Sequence, residues 1–191
     1  MNDAPLLARR RVLAATLLLP YLAHAEQRDP PRPALDVHYV PTPMPVVNKM
    51  LELAAVRAGD TVFDLGCGDG RIVVTAAKRF KARGVGIDLD PVRIEEARNN
   101  ARAEGVQERV EFRVGNLFDA DLSSANVVTL YLLPALNVKL RPKLWKELRV
   151  GSRVVSHSFD MGPEWKPERT ERVDGAVVHA WTITQQNKAA V

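Results

Sequence analysis

A single cysteine, Cys67, stands in the 191 residues. No disulfide can form within the chain, and no cysteine-based zinc or iron–sulfur site. The four histidines, His24, His38, His157 and His179, are scattered without metal-ligand spacing. Aromatic residues are sparse at 6%, and no Lys/Arg block interleaved with aromatics follows residue 25. Glycine and proline total 11 + 13 = 24 residues, too few for a low-complexity chain. An excess of one charge is also missing. The net charge is 27 − 23 = +4, and residues 1–25 supply +2 of it through Arg9, Arg10 and Arg11 against Asp3. The remaining 166 residues carry +2, so no nucleic-acid partner is expected. What is present is a chain 46% hydrophobic and 26% charged, the composition of one globular domain.

Residues 1–25 read as a targeting segment. Three arginines precede an apolar run of twelve, residues 12–23, and Ala23-His24-Ala25 is a small-x-small cleavage site. Arg9-Arg10 also resembles a twin-arginine signal. Twelve residues interrupted by Pro20 are too short to span a bilayer core of about 30 Å. The expectation is an exported, periplasmic or inner-membrane-associated domain, with 1–25 a signal peptide or a short membrane anchor. If the segment is not a functional signal, the domain is cytoplasmic. Residues 26–36, with Pro30, Pro31 and Pro33, form a stiff linker.

From residue 37 strand-like and helix-like patterns alternate, which predicts an α/β fold with a parallel sheet. Helices are expected over residues 45–56, 71–80, 91–104 and 142–149. Strands are expected over 61–65, 84–88, 110–114, 126–132 and 153–159. Asp174-Gly175 predicts a hairpin between residues 170–173 and 177–183. The reading is five βα-type units closed by an antiparallel hairpin: a Rossmann-like, doubly wound, mostly parallel sheet in a single domain over 37–186, with a tail at 187–191. Trp145, Trp165 and Trp181 read as core or covering aromatics.

The informative stretch is Val62-Phe63-Asp64-Leu65-Gly66-Cys67-Gly68-Asp69-Gly70-Arg71. An apolar strand runs through Gly-x-Gly-x-Gly into a helix, a turn that lets a ligand approach the backbone. The spacing is not the Gly-x-Gly-x-x-Gly that cradles a pyrophosphate. The loop is also acidic, through Asp64 and Asp69. A carboxylate opposes a phosphate at a helix N-terminus. S-adenosylmethionine carries no phosphate and brings a cationic sulfonium and an ammonium, which acidic neighbours suit. Asp88, eighteen residues past Gly70, ends the second strand where an acid can accept both ribose hydroxyls. Asn116 follows the third strand and could meet the adenine amine. Each has a plainer reading: Asp88 and Asp69 as helix caps, Asn116 as a turn former, Cys67 as a small loop residue.

Residues 61–116 resemble a seven-β-strand, class I S-adenosylmethionine-dependent methyltransferase. The string Gly-Cys-Gly-Asp-Gly-Arg-Ile-Val-Val-Thr-Ala-Ala-Lys at 66–78 narrows the resemblance. So do Tyr39-Val40-Pro41-Thr42-Pro43 and Asp88-Leu89-Asp90-Pro91. Over about residues 38–166 the chain is similar to the lysine methyltransferases of the ATP synthase c-subunit and adenine nucleotide translocase type. The resemblance implies S-adenosyl-L-methionine as cofactor, with Asp64, Gly66, Gly68, Gly70, Asp88 and Asn116 lining it, and a protein lysine as methyl acceptor. Cys67 and Asp69, inside the same loop, complete the expected set. Asn116 replaces the Asp common in such enzymes, and the Asn-Pro-Pro-Tyr motif of nucleic-acid amino-methylating enzymes is absent.

In place of that motif stands Leu130-Tyr131-Leu132-Leu133-Pro134. Tyr131 is the candidate for the acceptor-facing wall, and a packing tyrosine is the plainer reading. A dry aromatic wall would favour the neutral form of a lysine. Asn137 reads as a helix-start residue and His157 as a satisfied, partly buried histidine; either could touch substrate. Tyr39 and Thr42 are expected over the cofactor or in a structured linker. The alternatives to a protein methyltransferase are a small-molecule methyltransferase, a non-catalytic adenosyl-binding protein and, weakest, a dehydrogenase.

Overall fold

The computed structural model describes residues 39–191. The expected signal or anchor over 1–25 and the linker over 26–36, with His24 and His38, lie outside the described residues. Seven strands form one sheet: β1 (Thr61–Leu65), β2 (Arg83–Asp88), β3 (Val110–Val114), β4 (Val127–Leu130), β5 (Arg153–His157), β6 (Arg169–Val173) and β7 (Ala176–Thr182). Their order is β3-β2-β1-β4-β5-β7-β6. The first five run parallel, and β7 lies antiparallel to both β5 and β6. Strand order reverses between β1 and β4, the position at which an open α/β sheet forms a crevice beyond its strand ends.

Alternation along each strand sorts side chains to two cores. Val62, Val127, Val155 and Val178 point to one face, which α1 (Met44–Leu53), α2 (Arg71–Phe80) and α3 (Pro91–Ala103) cover. Phe63, Leu65, Val128, Leu130 and Val154 point to the other, under α4 (Pro134–Glu147). Small Ala76 and Ala77 let α2 lie close to the sheet, and both are buried. Asp90 caps α3 by accepting from Val92 N–H at 2.8 Å, with Pro91 in the first turn. Trp145, Trp165 and Trp181 pack together in the second core.

Four expectations need correction. The fourth helix starts at Pro134, not at Pro142. Pro134 sits in the first turn, where a missing N–H costs nothing. Pro142 is tolerated inside because it faces solvent, as does Val138 four residues earlier, whose carbonyl loses its partner. Second, no helix follows β3. Residues 115–126 cross over as turns, with Leu122 and Ala125 buried and Leu117, Phe118 and Ala120 packed on the same core, so the third of the five expected βα-type units has no helix. Third, the expected tail is partly helical: α5 (Gln185–Ala189) is closed by a capping box between Thr184 and Asn187. The strands expected over 126–132 and 153–159 end earlier, at Leu130 and His157. Beyond them, Tyr131 and Leu132 line the crevice, while Ser158 and Phe159 form a turn.

Candidate active site

The crevice lies at the C-terminal ends of β1, β2 and β4 and is lined by Asp64, Gly66, Cys67, Asp69, Asp88 and Tyr131 among others. It thus brings together six of the nine residues expected from the sequence. Gly68 and Gly70 shape the loop without lining the space. Gly68 has φ +52, and a Cβ there would lie 2.2 Å from Tyr39 Cε2. The absence of a side chain therefore lets the Tyr39 ring rest on the loop. Gly70, at φ +74, is the left-handed residue from which α2 starts. Asn116 stands at the exposed rim, its Oδ1 accepting from Phe118 N–H at 3.0 Å. It is not among the lining residues, whereas its neighbours Gly115 and Leu117 are.

Asp88 is held by backbone. Its Oδ2 accepts from Gly68 N–H at 2.8 Å and its Oδ1 from Asp90 N–H at 2.9 Å. Each oxygen keeps a further lone pair for a ligand hydroxyl. Asp64 pairs in register with Thr129 of β4, whose hydroxyl donates to Asp64 Oδ1 at 2.7 Å. It is 3% exposed. Burial pushes its carboxyl up to about 7; the Thr129 hydrogen bond opposes this, while Asp88 and Asp69 add to it. Cys67 is buried, and that burial with the charge of Asp64 pushes its thiol up, so it stays protonated and is no nucleophile.

Asp69 differs from the expectation of a free acid. Its Oδ2 lies 2.6 Å from Arg71 Nη2, and Arg71 Nε also donates to it. Burial raises its pKa, but these contacts hold the carboxyl below the ordinary carboxylate value. Arg71 Nη1 reaches on to the Thr42 carbonyl at 3.0 Å. Arg93 lies over the Tyr39 ring, 4.6 Å from its centroid. Residues 39–42 are thereby strapped over the glycine loop, a role for Arg71 and Arg93 that no sequence motif signalled.

Tyr131 stacks on His157, with centroids 3.9 Å apart, and lies near-parallel to Phe159 at 6.3 Å. His157 Nδ1 is 3.3 Å from Thr42 Oγ1. Burial lowers the pKa of His157, which keeps the imidazole neutral. Asn137 is fully buried within α4, neither a helix start nor a residue lining the crevice. The partnership of Tyr131 and His157 was implicit in the register. Leu130 pairs with Ser156, so the next residues of β4 and β5 are neighbours.

The donor set tests which ligand the crevice suits. Four carboxyls line it, Asp64, Asp69, Asp88 and Asp90, against two guanidiniums, Arg71 and Arg93. Arg71 is taken by Asp69, and Arg93 by Glu96 at 2.5 Å. No unpaired cation among these faces a phosphate. The residues fit an adenosyl ligand carrying positive charge.

Residues 64–169 match the family model described as the ANTKMT methyltransferase domain. The chain belongs to this methyltransferase family. The protein-lysine N-methyltransferase of Saccharolobus islandicus is 49% identical over 145 residues, 75% of this chain and 89% of that protein. The lysine N-methyltransferase of the ATP synthase c-subunit from Xenopus laevis is 34% identical over 158 residues, 82% of this chain and 68% of that one. Among solved structures, an RNA methyltransferase from Salinibacter ruber in complex with S-adenosyl-L-homocysteine is 57% identical, with a TM-score of 0.75. It covers 76% of this chain and 95% of its own. The methyltransferase assignment removes the dehydrogenase alternative, in agreement with the acidic crevice.

Proposed function

We propose that this methyltransferase uses S-adenosylmethionine to methylate a lysine ε-amine of a protein. The observation that carries the reading is an acid-lined crevice opening onto the aromatic face of Tyr131, which neutral His157 backs. The relatives named as lysine methyltransferases support a protein acceptor.

The donor, when bound, supplies a methyl carbon already activated on a sulfonium, so the protein's work is placement and environment. Asp88 would take the ribose hydroxyls with its remaining lone pairs. Asp64 would balance positive charge deep in the crevice. Leu132 and Leu136 keep water from its acceptor side. On that side the rings of Tyr131, His157 and Phe159 disfavour an ammonium more than a neutral amine, easing loss of the lysine proton to water. The same reading places the domain at a membrane through residues 1–25, on the strength of the Arg9-Arg10-Arg11 and apolar pattern. N-terminal sequencing of protein from the native host tests that part.

The test is transfer of tritiated methyl from S-adenosylmethionine into host extract separated into protein, RNA and small-molecule fractions. Label in protein, recovered as methyl-lysine after acid hydrolysis, is the expected result. Label confined to RNA, the acceptor class named for the Salinibacter ruber protein, refutes the lysine reading, as does label confined to small molecules. Binding without transfer to any fraction refutes the enzyme reading.

A further inference from the structure

We infer that Asn137 and Arg141 of α4 are positioning residues for the acceptor wall: they hold the loop after β5 in a strained turn that presents His157 and Phe159 to Tyr131. This rests on the reading of Tyr131 as the acceptor-facing wall.

The turn is unusual. Ser158 is a non-glycine residue at φ +66, and Phe159 N–H donates to the His157 carbonyl at 2.9 Å. A hydrogen bond closing over one residue on the left-handed side is a γ-turn of the rare, strained kind. Such strain persists only where the surroundings over-determine it, and it gathers at functional sites. Here it sets two rings, one on each side of Ser158, against the same tyrosine.

The surroundings that over-determine it come mainly from α4. The two N–H groups of Asn137 Nδ2 are shared among the Phe159 carbonyl at 3.1 Å, the Asp160 carbonyl at 3.3 Å and Ser156 Oγ at 3.2 Å. One helical turn later, Arg141 Nη1 donates to the Met161 carbonyl at 2.7 Å and to Glu164 at 2.6 Å. Two side chains on one helix face thus take the carbonyls of three consecutive residues, 159 to 161. From the sheet, Ser158 N–H donates to the Val177 carbonyl of β7 at 2.7 Å.

Packing alone does not call for asparagine at this position. Asn137 is fully buried, and its Oδ1 finds no partner among the described residues. Asparagine is a weaker helix former than the leucines that flank it in the core, and an unpaired buried acceptor is costly. The amide is retained at a stability cost and spent on the loop. Arg141 repeats the pattern, with Nε buried and without a partner among the described residues while Nη1 holds the backbone.

The experiment uses the full chain with Asn137→Ala, Arg141→Met, and each combined with Ser158→Gly. Glycine adopts positive φ without strain, so it should hold the turn when the clamp is gone. Three quantities are read: hydrogen exchange of the peptide over residues 156–161, affinity for S-adenosylhomocysteine, and initial rate of tritiated methyl transfer to total host protein. Asn137→Ala should speed exchange and slow transfer by about ten- to a hundredfold, as expected when a reacting group is misplaced by an ångström or so. Affinity for S-adenosylhomocysteine should fall by far less than the transfer rate, because neither Asn137 nor Arg141 lines the crevice. Ser158→Gly should restore most of the lost rate. Arg141→Met should act in the same direction, and it carries the test if Asn137→Ala does not fold. Unaltered transfer overturns the inference, as does a loss shared equally by donor affinity. Loss without recovery by Ser158→Gly also overturns it, since Asn137 would then act on substrate directly or through global stability. If wild-type protein labels no host protein, the lysine reading fails; the exchange measurement then decides the clamp alone, and unchanged protection overturns it.

Discussion

Replacing Asp64 with asparagine tests whether the crevice is a proton-linked receptor for a cation. The carboxyl titrates near 7 in the folded protein against an ordinary 3.8, because burial disfavours its charge. Between those pH values the folded state holds a proton that the unfolded state has released. The carboxyl's contribution to stability is therefore complete below pH 4 and is lost as pH rises through 7. The slope is about 1.4 kcal/mol per pH unit, about 4 kcal/mol over the whole window. Between pH 5 and pH 7 that is about 2 kcal/mol, since the slope halves as the folded carboxyl itself ionises, or about 4–8 °C in Tm for a domain of this size. Asparagine is isosteric with the protonated acid and does not titrate. Thermal unfolding of both proteins from pH 5 to 8 should show the wild type losing stability that the variant keeps. Curves that stay parallel would refute the argument.

The same linkage predicts a binding signature. Positive charge brought into the crevice favours the carboxylate, so S-adenosylmethionine should bind more tightly as pH rises through 7. Binding at pH 6 should release a proton from the wild type and not from Asp64→Asn. Calorimetry in two buffers of different ionisation enthalpy measures the release directly. Equal apparent enthalpies in both buffers would mean that Asp64 does not meet the charge.

Other substitutions address the loop and the frame. Gly68→Ala meets Tyr39 at 2.2 Å with φ +52 and should displace the strap, weakening S-adenosylhomocysteine affinity about tenfold or more while far-UV circular dichroism is unchanged. Asp88→Ala removes the acceptor of the Gly68 and Asp90 amides; titration should show affinity lower by about ten- to a hundredfold. Arg153→Met strips buried Asp60 of its cationic partner at 2.5 Å, leaving it only the Arg57 N–H at 3.0 Å, and frees the Ala54 carbonyl. Denaturant unfolding should show a loss of about 3–5 kcal/mol, with activity per folded molecule retained.

The strands and the glycine turn were legible because local pattern and tertiary demand agree there. Val62-Phe63-Asp64-Leu65 alternates between two cores, and a loop of alternating glycines leaves the chain few other conformations. The start of α4 was hidden because a proline is a strong helix-start signal, and here two stand eight residues apart. The third of the expected βα-type units has no helix because apolar residues over 117–125 cover the sheet without hydrogen-bonding as one. Of the acids legible in the sequence, Asp64 and Asp88 line the crevice without a cationic partner among the described residues, whereas Asp69 is paired with Arg71 two residues away. The Tyr131–His157 stack needs strand order, which no local pattern encodes. The turn at Ser158 needs a helix twenty residues earlier in the chain, and serine gives no sign of it.

The packing of α1 bears on how the molecule assembles. Its buried Val46, Val47, Met50 and Leu51 share a core with Val178 and Ala180 of β7. Lys49 meets Glu171 at 3.0 Å, and Arg169 reaches the Leu53 carbonyl. Thr42, which lines the crevice, and its partner His157 are separated by 115 residues. Elements synthesised first thus wait for those synthesised last, and contacts of such long span are slow to form. The segment matching the family model, 64–169, excludes both α1 and β7. Expressed by itself, it would carry the glycine turn and the acidic lining but would leave Val155 of β5 uncovered and the crevice unroofed.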